Sequence, residues 1–533
     1  MFRNSIIDKT DRTKIILAIV FIVLVFLPLA RMFVNIDIKG LQSVISTPVF
    51  NTAIYNSVLT AFVSTIMTII SAYLIAMCIE RTNIKHKEFF VMLFILPMLV
   101  PSISNGMGLI ILFGNNGFFT KILGLSSGGY GFWGIVFGSI LYAFPVAYLM
   151  FSDVLKYEDA SPYEAAKVLG ISPLKQFMVI SYPYLRKPLI TIFFSIFTLI
   201  ITDYGIPLMV GGKYTTVPVV MYQEVIGQLN FAKGSVYGAI LLVPAAIAFV
   251  IDLLNKDRGN STYVTKTYVP SGDKIKNFFA YLGCSICGIY MLLPIVSFIL
   301  LALCSDYPND LSITQANLIK TFELNAGKYL CNSIVIAVSV SALGTSIAFL
   351  TAYLSARMKS KVSRFLHLAS MTSAAIPGIV LGLAYVLLFK GSYIYGTIFI
   401  LVMVNLIHFI SSPYLMIYNS MSKINENIEA VAETLGIGRF NLVKDVFLSM
   451  CKTTLCEMFV YLFVNCMITI SAVSFLSNTG NKPISLMINQ FEAQMQLENA
   501  AVVSLVILFV NLVVKGVFAI FKRKNLVRGG LGC

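Results

Sequence analysis

The sequence predicts an all-α polytopic membrane protein of about twelve transmembrane helices, arranged as two parallel, pseudo-symmetric six-helix halves. Three observations point to it: the apolar character of the chain, the length of its apolar runs, and the recurrence of one half in the other. Of 533 residues, 58% are hydrophobic and 12% charged, and the mean hydropathy is +0.85. Soluble domains carry roughly twice that charged share, so a water-soluble fold is excluded. The apolar residues gather into runs such as 14–34, 89–113, 189–206 and 502–520. Each is long enough to cross a bilayer as a helix of ~20 residues.

Residues 1–14 form a charged N-terminus ahead of the first apolar run, which continues through Arg31 to Val34 without a small-residue cleavage site. It reads as a retained first helix. About twelve spans place both termini on one side, and about 29 of the 39 Lys and Arg then fall on that side against about nine on the other. The positive-inside rule makes that side cytoplasmic, as expected in the inner membrane of a bacterium. The formal charge of +15 is thus an orientation signal. Its basic residues are scattered over the inner loops instead of clustering with stacking aromatics, so membrane lipid is the implied surroundings and nucleic acid is not. Cys284 and Cys287 make the one C-x-x-C, with no second pair at zinc-site spacing, and packing is the expected use of all nine cysteines.

The repeat emerges when the chain is slid against itself. A shift of 276 brings Asn56-Ser57 onto Asn332-Ser333, Arg81 onto Arg357, Pro101 onto Pro377, Gly106 onto Gly382 and Phe113 onto Phe389. Further along the shift becomes 266, placing Tyr148-Leu149-Met150 on Tyr414-Leu415-Met416 and Gly170 on Gly436. A loop ten residues longer in the first half, around 115–134, accounts for the change. Six spans per half is an even number, so both copies enter the membrane in the same sense. The expected organisation is a first half over 1–254 (core about 52–254), a polar linker over 255–276, a second half over 277–522 (core about 328–520), and a cytoplasmic tail over 523–533.

Between the fourth and fifth spans stands Asp159-Ala160-Ser161-Pro162-Tyr163-Glu164-Ala165-Ala166-Lys167-Val168-Leu169-Gly170-Ile171-Ser172-Pro173. Ser161 is placed to cap a helix, with Pro162 at its first position and Glu164 completing a capping box. Gly170 ends that helix in the left-handed conformation, and Ser172-Pro173 starts another at a new angle. A rigid elbow on the cytoplasmic side is predicted, with small Ala165 and Ala166 admitting another protein's surface. The second half repeats it as Ile428-Glu429-Ala430-Val431-Ala432-Glu433-Thr434-Leu435-Gly436-Ile437, with Asn427 as cap.

Glu-Ala-Ala, three residues, Gly, then an apolar stretch and Pro resembles the EAA loop of type-1 ABC importer permeases. The resemblance covers nearly the whole chain. It implies that each elbow is a coupling helix seated in a cleft of an ATPase subunit, through Glu164, Ala165, Ala166 and Gly170 in one half and Glu429, Ala430, Ala432 and Gly436 in the other. It also implies two ATPase copies that bind the ATP and Mg, an extracytoplasmic solute-binding protein, and no cofactor on this chain. The second loop departs from the pattern: Ala430 stands where the first has Glu164, and Ser449 where it has Pro183. The fuller first loop is expected to make the tighter ATPase contact. Fused two-half members of this group resemble permeases for iron(III), 2-aminoethylphosphonate, thiamine or polyamines. The stretch Asp203-Tyr204-Gly205-Ile206-Pro207 onward looks most like the 2-aminoethylphosphonate members.

The remaining residues argue against other classes. Gly211-Gly212-Lys213 is followed by Tyr214 and lacks the upstream glycine of a phosphate loop, so no ATP site is expected. His86, His367 and His408 are far apart in sequence, so no metal site is expected. Ionisable residues within spans are few: Asp203 near an outer helix end, Glu457 and Lys515. Asp203, with Tyr204 and Asn105, is the candidate for pathway or gate. A secondary carrier with two parallel six-helix repeats is the alternative, but it would need buried charges to couple to, and the loop 81–88 lacks the acidic-and-glycine pattern of such carriers. A membrane enzyme would need converging acid, base or metal ligands.

Overall fold

The computed structural model describes residues 2–122, 124, 129–255, 272–307 and 310–528. Most of the expected linker (256–271) and the end of the tail (529–533) lie outside the described residues. Eight helices are long and apolar enough to cross a membrane, and four bent pairs bring the number to twelve. In chain order, spans 1 to 6 are Asp11–Val34, Pro48–Arg81, Lys87–Leu99 with Ser102–Ile122, Phe132–Lys156, Pro173–Ile201 and Phe231–Asn255. Spans 7 to 12 are Lys274–Leu303, Ala326–Ala356, Lys361–Ala375 with Gly378–Phe389, Ile398–Phe409 with Ser411–Ser422, Arg439–Met450 with Lys452–Ile468, and Leu497–Lys522. The all-helical expectation has one small exception among the described residues, an antiparallel pair Cys304–Asp306 and Asp310–Ile313.

The apolar run 89–113, which reads as one straight helix, turns through 102° at Pro101, and its counterpart, span 9, turns through 109° at Pro377. Proline lacks the N–H for the helical ladder and forces the preceding residue out of the α region. Val100 (φ −117°, ψ 155°) and Ile376 (φ −105°, ψ 112°) are accordingly extended. The matched glycines one turn further on have a steric reason. A Cβ on Gly106 would lie 2.9 Å from Met209 Cβ, and one on Gly382 would lie 2.7 Å from the Ala472 carbonyl oxygen. In each half the bent helix thus receives the chain leaving the fifth span of that half at near-contact, which only glycine permits.

The repeated Asn-Ser pair also does one job twice. Asn56 donates to the Thr215 carbonyl at 3.0 Å, and Ser57 Oγ accepts from Val217 N at 2.8 Å. In the second half Asn332 donates to the carbonyls of Gly480 and Lys482 at 3.1 Å, and Ser333 Oγ accepts from Ile484 N at 2.8 Å. Both pairs tie down the start of a short helix, Val217–Tyr222 in one half and Ser485–Ala493 in the other. Buried polar backbone in a membrane must find such partners.

The halves are interlocked. Span 1 packs on span 9 of the second half, and span 7 packs on spans 2 and 3 of the first. Tyr385 OH bonds the Leu24 carbonyl at 2.8 Å, and the buried Lys14 reaches the Met358 carbonyl and Ser360 Oγ at 3.2 and 3.3 Å. In the other direction Asn277 Oδ1 accepts from Asn83 N at 3.0 Å, and Tyr281 OH accepts from Lys85 N at 2.6 Å. The two contiguous sequence halves are therefore not two separate packed bodies, because each lends its first span to the other.

Candidate functional site

Both elbows form, with the same internal geometry. Helix Ser161–Val168 ends at Gly170 (φ +65°), where Ile171 N reaches back to the Ala166 carbonyl at 3.0 Å and Gly170 N to the Lys167 carbonyl at 3.2 Å. Helix Ile428–Thr434 ends at Gly436 (φ +69°), with Ile437 N on the Ala432 carbonyl at 2.8 Å and Gly436 N on the Glu433 carbonyl at 3.2 Å. This is the paired backbone closure of a left-handed helix C-terminus. A new helix then starts at Pro173 or Arg439 and passes through one π-helical turn, Phe177–Ser181 or Val443–Phe447, into span 5 or 11. Span 5 continues from there, whereas span 11 bends by 74° at Cys451.

The capping differs from the sequence reading. Ala160 occupies the cap position in the first elbow, and Asn427 occupies it in the second without a side-chain bond. Asp159 accepts the Ser161 N–H at 3.0 Å and its hydroxyl at 2.8 Å, and the equivalent Asn425 accepts the Asn427 N–H at 2.9 Å. In both elbows a short Asx side chain closes a turn on the backbone two residues on.

The predicted contact residues divide into two sets. Glu164 and Ala165 are exposed, as is Ala430, whereas Ala166 and Ala432 are buried against the chain itself and present no surface to another protein. What the elbows do present, at matching positions, is apolar. Leu169 and Leu174 are 74% and 77% exposed, and their counterparts Leu435 and Phe440 are 68% and 79% exposed. Each elbow thus leaves two large apolar side chains in the open at equivalent positions.

Glu429 has a different role from Glu164. With Oε1 and Oε2 it accepts Arg357 Nε at 2.6 Å and Nη2 at 2.5 Å. The same guanidinium bonds the carbonyls of Ile424 and Asn425 at 2.7 Å. The hydrogen bond to Glu429 raises the Arg357 pKa further above its ordinary range. In the first half the matched Arg81 pairs with Glu158, both buried, and Glu158 also accepts the Tyr163 hydroxyl. Burial, then the bond to Glu158, raises the Tyr163 pKa, which keeps it a proton donor. These arginines, Glu158 and Tyr163 escaped the reading of single loops. The signal was present in the match of Arg81 to Arg357 at the end of an apolar helix.

The pathway candidates separate. Asp203 sits just past the end of helix Tyr182–Ile201, half-buried instead of solvated at an outer surface. It accepts Ser102 Oγ at 2.6 Å beside the bend of span 3, and Ile206 N at 3.0 Å at the start of helix Gly205–Val210. Asp203 lines a cavity of about 340 Å³ between the halves, together with Thr198, Asp252, Ile376, His408 and Ser471. Tyr204 is fully buried next to it and bridges the halves. Its hydroxyl meets Ser474 Oγ at 2.7 Å and Asn489 Nδ2 at 3.3 Å, and its ring stacks on Tyr222 at 4.9 Å, which in turn stacks on Phe475. Asn105 is not among the cavity residues. Its amide bonds the Pro97 carbonyl at 3.3 Å, an acceptor close to the bend at Pro101. Glu457, just past the bend of span 11, pairs with Lys522 at the end of span 12 at 2.8 Å, and Lys515 is half-buried on span 12.

Residues 72–256 and 344–527 each match the family described as binding-protein-dependent transport system inner membrane component. The chain belongs to that family. It is a fused, two-half type-1 ABC permease, a transport protein and not an enzyme, with ATP hydrolysis in a separate subunit. Both matches leave out the first span of their half, the one lent to the other. The chain is 25% identical over 439 residues to a putative ferric transport system permease protein of Haemophilus influenzae, covering 78% of this chain and 69% of that protein. It is 25% identical over 439 residues to a ferric transport system permease protein of Actinobacillus pleuropneumoniae, covering 78% and 63%. A thiamine transport system permease protein of Haemophilus influenzae is 23% identical over 345 residues, 62% of each chain. The aligned part is thus about two thirds of these relatives' own lengths, and less in the last two.

Proposed function

We propose that this permease forms the solute pathway of a bacterial inner-membrane ABC importer, with both termini cytoplasmic, and is driven by two ATPase copies, one on each elbow. The observation that carries this reading is the pair of matching exposed apolar tips, Leu169 with Leu174 and Leu435 with Phe440. ATP and Mg are held by the ATPases. The elbow face is the face of the termini by the count of spans, which agrees with the excess of basic residues there. On the opposite face the binding protein meets the ends of the short hairpins before spans 6 and 12. There Leu229 and Met495, related by the 266-residue shift, stand exposed at φ +54° and +57°.

Among the described residues the inter-half cavity is lined by two carboxylates, Asp203 and Asp252, and by no Lys or Arg. That chemistry suits a cation, iron(III) or thiamine as in the names of the relatives or a polyamine, better than 2-aminoethylphosphonate, whose phosphonate calls for cationic partners. The transport step is a rocking of one half against the other that parts the Tyr204–Tyr222–Phe475 stack. The test is purification of the complex with its ATPase and a mass measurement in detergent. Two ATPase copies per chain, lost on Leu169→Asp with Leu435→Asp, are expected; one copy, or undiminished binding by that variant, refutes the assignment of the elbows.

A further inference from the structure

We propose that Arg81 and Arg357 are positioning residues that lock each elbow to the second span of its own half, so that elbow and span move as one body. The inference rests on the reading that the elbows receive the ATPase. Each arginine closes the second span of its half, Pro48–Arg81 in the first and just past Ala326–Ala356 in the second. Each reaches a carboxylate on the segment carrying the elbow. The two halves satisfy it differently. The 266-residue shift puts Ile424 at the place of Glu158 and Glu429 at the place of Tyr163.

In the first half the acid precedes the elbow helix, and Tyr163 on that helix joins the lock through its hydroxyl, with Ser181 Oγ 2.8 Å away on the far side of the elbow. In the second half the acid has moved onto the elbow helix itself, and the vacated position contributes the Ile424 carbonyl to the same guanidinium. Each arginine keeps a carboxylate while the place of that acid in the sequence changes. A fortuitous surface pair does not require that compensation, and a lock does. Removing the acid takes a carboxylate away from the guanidinium, which in the first half is a buried one. The elbow is then free to turn without pulling the span.

The two arrangements are interchangeable by design of the test. Glu158→Ile is expected to lower solute moved per ATP hydrolysed in proteoliposomes by about tenfold, the scale on which such coupling contacts act. Glu158→Ile with Tyr163→Glu rebuilds the second half's lock in the first and is expected to recover most of the ratio. Glu429→Tyr and its rescue by Ile424→Glu form the mirror pair. Tyr163→Phe, which deletes one hydroxyl and cannot unfold the chain by leaving a buried charge, is expected to lower the ratio about twofold.

The elbow reading is checked separately by cross-linking Leu169→Cys to the ATPase in an otherwise unchanged complex. If that cross-link forms while Glu158→Ile and Tyr163→Phe keep the wild-type ratio, the lock is refuted and the docking reading stands. If no cross-link forms, the docking reading fails. Should Glu158→Ile prevent assembly, an unchanged Tyr163→Phe ratio or a double variant no better than the single one overturns the proposal.

Discussion

Gly170→Val tests the elbow at the point where its geometry is most demanding. Gly170 lies at φ +65° and Gly436 at φ +69°, and a Cβ built on either meets nothing within 4 Å. The cost of a side chain is therefore conformational and not steric. An L-residue in that region loses about 1–2 kcal/mol, which is about a 5–30-fold shift between the bent elbow and a straightened one. The closure from Ile171 N to the Ala166 carbonyl would be the bond released. Because the two sites match in φ and in open surroundings, equal local costs are expected, and any inequality between the halves measures how strongly each elbow is used. The series Asn, Ala, Val grades the effect, since Asn tolerates the left-handed region best and a β-branched residue least. The assay is binding-protein-stimulated ATP hydrolysis and uptake in proteoliposomes, after assembly is confirmed by gel filtration. Wild-type coupling in Gly170→Val, or a larger loss with Asn than with Val, would refute the reasoning.

Asp203→Asn keeps an acceptor for Ile206 N but removes the charge, so uptake of a cation is expected to fall with thermal stability little changed. Asp203→Ala should in addition lose about 0.5–2 kcal/mol of helix capping, read as a lower melting temperature. A cysteine at Tyr393 or Met495, both fully open, should label with an impermeant thiol reagent from outside intact cells, and one at Leu169 or Leu435 should not; the reverse pattern inverts the topology. Gly382→Ala, pressed against the Ala472 carbonyl at 2.7 Å, is expected to destabilise the detergent-solubilised protein by about 1–3 kcal/mol in thermal unfolding. The chain purified alone should hydrolyse no ATP, and turnover that follows this chain through purification would contradict the division of labour.

The spans, the parallel repeat and the two elbows are legible without coordinates, because each rests on local or periodic information. Apolar length is set by bilayer thickness, and Gly170 and Gly436 are needed where the backbone turns left-handed. Proline at 101 and 377 was visible as a repeat match, but a proline restricts only its neighbours, and the 102° and 109° bends also needed packing partners to accept the freed backbone. The cap position falls on Ala160, one residue before Ser161, and Asp159 bonds Ser161 there, because short polar side chains compete for the same local backbone groups and sequence does not rank them. Which side chains meet across long separations is legible in the folded chain alone: span 1 on the second half, Tyr204 with Ser474, and Arg357 with Glu429. Those pairings depend on the packing of helices dozens to hundreds of residues apart, where small residues set the approach and each buried polar group must find whatever partner the packing brings within reach.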